Sequence, residues 1–170
     1  MKKNAFTIIE TLTTLLAITI MITAPLTFMY RSYKYSEFIN SKVISLGLAQ
    51  EGIELVTAYR NNNLANFKSK ALECSSSCMV DWDGQSLTPT ITVCSGDSCK
   101  LYGNTSDINN PELYLSSGDK DTGQHRSIKL SPNGAGGYLL ESTAWSYVES
   151  IRVEAKLSKM IFELDIKNKN

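Results

Sequence analysis

Residues 11–30, TLTTLLAITIMITAPLTFMY, carry no charge, and 13 of these 20 residues are hydrophobic. As a helix rising about 1.5 Å per residue, such a run covers about 30 Å, the thickness of a bilayer core. Its polarity comes from six threonines, whose hydroxyls can bond back to a carbonyl one turn earlier. Pro25 removes one backbone donor, and the freed carbonyl then calls on a threonine or a neighbouring helix. A cleaved secretory signal is the competing reading, with Lys2 and Lys3 as its basic end. The apolar part of such signals is usually only about 7–15 residues, and the small-residue site Ile22-Thr23-Ala24 is followed by Pro25. A spanning helix is therefore expected.

The rest of the chain narrows the function by exclusion. Across 170 residues, 17 Lys and Arg balance 17 Asp and Glu, which argues against binding nucleic acid through bulk positive charge. The patch Phe67-Lys68-Ser69-Lys70 is too small to change that. A single histidine, His125, removes any multi-histidine metal site; between Gln124 and Arg126 it reads as solvated. Gly134-Ala135-Gly136-Gly137 lacks the Lys-Ser/Thr of a phosphate loop and reads as a flexible turn. Asp119-Lys120-Asp121-Thr122-Gly123 opens like a calcium loop, but Gln124 and Leu130 stand where an EF-hand needs Gly and Glu. Only a looser site using main-chain carbonyls stays open there. Asp81-Trp82-Asp83-Gly84 reads as a turn closing a strand. No enzyme, cofactor or resident metal is expected.

One carboxylate stands out. Glu10 follows Ile8 and Ile9 at the edge of the apolar run. A carboxylate within hydrocarbon costs about 2.5–3.5 kcal/mol on insertion scales, so it calls for a partner. The opening Met1-Lys2-Lys3-Asn4-Ala5, then Phe6-Thr7-Ile8-Ile9-Glu10 and an apolar run, resembles the class III signal of type IV prepilins. Carried onto these residues, the resemblance implies cleavage by a prepilin peptidase between Ala5 and Phe6, with methylation of the new Phe6 amine. Ala5 replaces the family's usual Gly. Glu10 becomes the fifth mature residue and pairs with the Phe6 amine of a neighbouring subunit, two charges that are each costly in lipid alone. Removing Lys2 and Lys3 leaves mature side chains with a net charge of −2, from 15 basic and 17 acidic groups.

Tyr30, Arg31, Tyr33, Lys34 and Tyr35 then form an aromatic and basic collar suited to a membrane interface. Beyond it Ile39, Val43, Leu46, Ile53 and Val56 recur at helical spacing, widened by Ile44, Leu48, Leu55 and Tyr59. A helix from Phe6 to about Arg60, stopped by Asn61-Asn62-Asn63, would be about 80 Å long. A short amphipathic helix is expected around Leu64, Phe67, Ala71 and Leu72. From Cys74 the pattern changes to strands at Met79–Asp83, Leu87–Cys94, Cys99–Tyr102 and Glu112–Leu115, with loops at Gly103–Pro111 and Ser116–Gln124. The clearest strands run from Trp145 to Leu157, with Val153 and Ala155 opposite Arg152, Glu154 and Lys156. After Ser158-Lys159 a second strand follows through Phe162, Leu164 and Ile166. Both read as half-buried members of an antiparallel sheet.

Cys74-x3-Cys78 and Cys94-x4-Cys99 do not have the two-residue spacing of a zinc ribbon. In a domain outside the cytoplasm they read as two disulfides, each contributing about 2–4 kcal/mol. Three connectivities are open, including the local pairs and a ladder of Cys78–Cys94 with Cys74–Cys99.

The resemblance implies an α+β fold of type IV pilin-like lollipop form, a long helix packed on a C-terminal antiparallel sheet. The expected parts are a leader at 1–5, a membrane and filament-core half-helix at 6–30, an amphipathic portion at 31–73 and a disulfide-containing head at 74–170. The implied partners are identical or related pilin subunits, prepilin peptidase, the pilus or secretion assembly machinery, and the membrane. The implied location is a single pass of the cytoplasmic membrane with the head outside, then a surface filament for adhesion, motility or DNA uptake. A type II secretion pseudopilin is the alternative within the family. A membrane-anchored binding module that never polymerises is the alternative outside it.

Overall fold

The computed structural model describes residues 8–82, 86, 88–103, 120–134 and 136–162. Helix α1 runs Ile8–Asn62 and helix α2 Leu64–Glu73. Six strands follow: β1 Cys78–Asp81, β2 Thr90–Val93, β3 Lys100–Gly103, β4 Lys120–Pro132, β5 Gly137–Val148 and β6 Ile151–Phe162. The chain divides into two compact units, Met1–Ile39 and Asn40–Asn170. In the second, the end of α1 packs on a six-stranded antiparallel sheet, the expected α+β arrangement.

The asparagine run ends α1 through its backbone. The Asn63 N–H donates to the Tyr59 carbonyl at 2.9 Å, while its own carbonyl accepts from Phe67 N–H at 2.9 Å. One residue thus closes α1 and opens α2.

The sheet order is β2-β1-β4-β5-β6, with β3 also beside β4. Its main hairpin departs from the expected one. β5 and β6 pair from Val148 opposite Ile151 to Gly137 opposite Phe162, so the turn is Glu149-Ser150 and Ser158-Lys159 lies inside β6. Glu149 and Ser150 adopt φ of 48° and 69°, as a two-residue turn matching strand twist requires. Neither residue type announces that conformation. The expected loop Ser116–Gln124 also gives way: Lys120–Gln124 belongs to β4 and pairs with β3. Polar composition concealed it, because a strand paired at its edges needs few apolar residues. β1, β2 and β3 fall within or beside the strands expected at Met79–Asp83, Leu87–Cys94 and Cys99–Tyr102. Asp83, Gly84, Leu87, Glu112–Leu115, Leu164 and Ile166 lie outside the described residues. The glycine-rich segment turns the chain from β4 to β5, with Gly134 and Gly136 at φ of 72° and 76°.

Where α1 meets the sheet, its buried residues are Ser41, Ser45, Leu48, Ala49, Gly52 and Val56. The expected face holds in part: Leu48 and Val56 are buried and Ile44, Ile53, Leu55 and Tyr59 pack against the core, but Ile39, Val43 and Leu46 are exposed by 42%, 61% and 47%. Small side chains win that face because they allow close approach to β5, which presents Ser142, Ala144 and Ser146, all buried. The hydroxyls of Ser41 and Ser146 hydrogen-bond across the seam. Further along, Val56 joins Phe67, Val80, Ile128, Leu130, Tyr138 and Leu140 in the main apolar cluster.

Arg126 is wholly buried beneath the helix. Its Nη2 donates to the Val80 carbonyl at 2.8 Å, and its Nη1 lies 3.1 Å from Glu51 Oε1 as an ion pair. The guanidinium therefore joins β4 to β1 and to α1. The Oγ atoms of Ser45 and Ser142 and the Nε of Arg126 are buried with no hydrogen-bond partner among the described residues.

Two predictions test this packing. A methyl group at Gly52 would stand 2.5 Å from Ser142 Oγ and 3.1 Å from Arg126 Cδ, whereas nothing lies within 4 Å at Gly47. Gly52→Ala should destabilise by about 1–3 kcal/mol through overpacking, and Gly47→Ala should stabilise by up to about 1 kcal/mol through helix propensity. Denaturant unfolding followed by circular dichroism checks both signs. Glu51→Ala strands a buried cation and should cost about 1–3 kcal/mol, below the roughly 3–5 kcal/mol of a fully buried pair because Glu51 is 44% exposed. Adding Arg126→Met should recover much of that loss in the same assay; a further loss would contradict the ion-pair account.

Candidate functional site

The candidate site is the apolar part of the first unit, residues 8–30, whose one carboxylate is Glu10. From Ile8 to Met29 the large hydrophobic residues of α1 are exposed all around the helix, Ile18 least at 52% and Ile8 most at 83%. The helix is long and apolar enough to cross a membrane.

The threonines keep that surface uniform. Thr11 donates to Ile8 O at 2.8 Å, Thr19 to Leu16 O at 2.8 Å and Thr27 to Ala24 O at 2.8 Å. Thr13 donates to Glu10 O at 3.0 Å, Thr14 reaches Glu10 O at 2.8 Å, and Thr23 donates to Thr19 O at 2.8 Å. All six hydroxyls are thus turned back onto their own helix. Most reach a carbonyl three residues earlier; Thr14 and Thr23 reach four, the spacing expected from sequence. Each donor is satisfied internally, so none needs water or a partner helix.

Glu10 sits in the first described turn of α1, where a carboxylate suits the positive end of the helix dipole. Ala5 and Phe6, the expected cleavage and methylation positions, lie outside the described residues. At the far end of the apolar run Lys34 Nζ stands 4.8 Å from the Tyr30 ring centroid, and Tyr30, Tyr33 and Tyr35 are exposed. This collar combines exposed rings with a cation on one helix face, as membrane interfaces favour.

In the second unit Cys74 bonds Cys78 and Cys94 bonds Cys99. These are the local pairs among the three open connectivities. Cys74, Cys78 and Cys99 are fully buried, and Cys78 pairs with Val93 beside Cys94. The two bonds thereby lie at the open end of the β1–β2 hairpin, one where β1 begins and one just after β2 ends. Ser77 Oγ lies 3.7 Å from the sulfurs of both Cys94 and Cys99.

His125 is a correction. It is buried, stacked on Trp145 at 5.2 Å between centroids, with Arg152 over the other ring system at 4.5 Å. Trp145 pairs directly with His125 across β4 and β5, which puts both on one face. Its neighbour Arg126 points to the helix side with Ile128 and Leu130. No strand is expected here from the sequence; the alternation of Arg126, Ile128 and Leu130 was the signal that could have found it.

Asp121, expected as a carboxylate of a loose calcium loop, is engaged within the sheet. Its Oδ2 lies 2.6 Å from Lys100 Nζ and its Oδ1 accepts from Gly123 N–H at 2.9 Å. Asp119 lies outside the described residues. The Lys100 hydrogen bond first, and the Gly123 N–H second, hold the Asp121 carboxyl below its ordinary value of 3.8. A lowered carboxyl pKa stabilises above the ordinary value and is lost as pH falls through the lowered one. Carboxyl NMR titration should therefore place Asp121 below a free aspartate. Lys100→Met should move the midpoint upward, and an unmoved midpoint would exclude Lys100 as the cause.

Comparison with protein-family models, curated proteins and solved structures finds no match for this chain.

Proposed function

We propose that this chain is a type IV pilin-like subunit, anchored by its N-terminal helix and polymerised through it. The observation that carries the reading is the combination of the Lys-Lys-Asn-Ala/Phe-Thr-Ile-Ile-Glu signal with a helix whose apolar side chains are exposed on every side. A helix with one apolar stripe serves a single interface, whereas one apolar all round serves lipid or a bundle of like helices. In a bundle of cleaved subunits the Phe6 amine of one copy pairs with Glu10 of the next, and that pairing selects the axial stagger. The disulfide-braced sheet domain is then displayed outward. On this reading its role is structural and its partners are further subunits, the processing peptidase and the assembly machinery.

Mass spectrometry of the native N-terminus tests the reading. The expected product begins at N-methylated Phe6; a chain retaining Met1 would overturn it. Glu10→Ala should leave cleavage intact while reducing filament recovery by at least about tenfold, the scale of losing roughly 1.4 kcal/mol per subunit contact. Filaments of normal yield from that variant would remove Glu10 from assembly. Surface filaments seen by electron microscopy would separate a pilus from a short secretion pseudopilus and from an anchored module that does not polymerise.

A further inference from the structure

β6 is a long strand bonded on one side. Among the described residues it pairs with β5 alone, leaving the opposite edge of Ile151–Phe162 without a strand. The phase of that edge follows from the hairpin. Val148 and Ile151 close a two-residue turn and exchange hydrogen bonds, so odd-numbered residues of β6 bond to β5. Arg152, Glu154, Lys156 and Ser158 then direct their backbone groups outward. The Lys42 ammonium, which donates to the Glu154 carbonyl from outside the sheet, agrees with this phase.

We propose that this edge pairs with the same edge of a second copy, antiparallel, about a two-fold axis at Ala155. The side chains choose the occupant and the register. Centred on Ala155, Glu154 of each copy faces Lys156 of the other, and Val153 faces Leu157, each combination occurring twice. Shifting the axis one residue towards the turn puts Glu154 against Glu154 and Arg152 against Lys156. Shifting it one residue the other way puts Lys156 against Lys156. Both neighbouring registers place like charges opposite one another, which destabilises cross-strand pairs. An edge carrying these charges repels indiscriminate strand addition, and it admits its own complement. Within one chain Glu154 already meets Arg152 at 2.9 Å and Lys156 meets Glu141 at 2.6 Å, so the contact joins two existing pairs into a continuous alternating row. The partner's backbone N–H replaces the Lys42 ammonium at the Glu154 carbonyl, and the released lysine returns to water. The contact is isologous and does not depend on the filament reading.

The test uses the full chain in detergent, where no native cysteine is free among the described residues. Ala155→Cys should form a disulfide-linked dimer on mild oxidation, because Ala155 faces itself across the axis. Ser158→Cys should not, since its counterpart lies six residues along the strand, about 20 Å away. A nitroxide on Ser158→Cys should instead give a pulsed-EPR distance peak near that separation, a measurement independent of any change at buried Ala155. Glu154→Lys should weaken the peak several-fold, and Glu154→Lys with Lys156→Glu should restore it. Cross-linking equal at positions 155 and 158, absence of the EPR peak, or failure of the double swap to restore it would each overturn the proposal.

Discussion

The buried guanidinium of Arg126 is the joint on which the sheet-bearing unit depends. It holds the Val80 carbonyl of β1 and faces Glu51 of α1 while itself belonging to β4. A cation this deep would be costly without those contacts, so the three elements are tied to one another's placement. Its stem lies under Gly52, where an added methyl group would meet Ser142 Oγ at 2.5 Å and the arginine Cδ at 3.1 Å. Close approach and buried charge are therefore two aspects of one arrangement.

Around that joint the stabilising forces change along α1. Near Ser41 and Ser45 the seam is built from hydroxyls and small residues, with little apolar area removed from water. From Val56 onward the helix enters the main cluster with Phe67, Ile128 and Leu130, where burial contributes most of the packing energy. The local disulfides reinforce the part of the sheet with the shortest strands. β1, β2 and β3 have four residues each, too few to hold register by ladder bonds alone. Cross-links at Cys74–Cys78 and Cys94–Cys99 restrict the same segment in the unfolded chain.

Much of this fold was legible from the residues. The uncharged run, the helical spacing and the asparagine stop give the C-terminal end of α1 to within two residues, and Phe67 with Ala71 locates α2. The strands were harder for identifiable reasons. A positive-φ turn made from Glu149 and Ser150 carries no glycine or asparagine signal, so alternation seemed to continue through it. Lys120–Gln124 is a strand held by its pairing with β3, which demands little hydrophobicity. The packed face of α1 was legible in Leu48 and Val56 but not in Ser41, Ser45, Ala49 and Gly52, because periodicity follows large apolar residues while here small ones determine the approach. The candidate site stands differently. Glu10 and the apolar run were evident at once, whereas Arg126 and the stack of His125 on Trp145 depended on strand boundaries that the residues did not mark.

The inward-turned threonine hydroxyls carry a mechanical consequence. A helix with free hydroxyls would lock to its neighbours at discrete positions, each slip breaking directional bonds. Here those bonds are spent within the helix, and its outer surface offers mainly dispersion, which changes smoothly with displacement. In the proposed filament, two such helices side by side would slide against a low corrugation, with Glu10 as the main catch. Compliance along the axis would then be continuous until that catch releases, and stepwise only there.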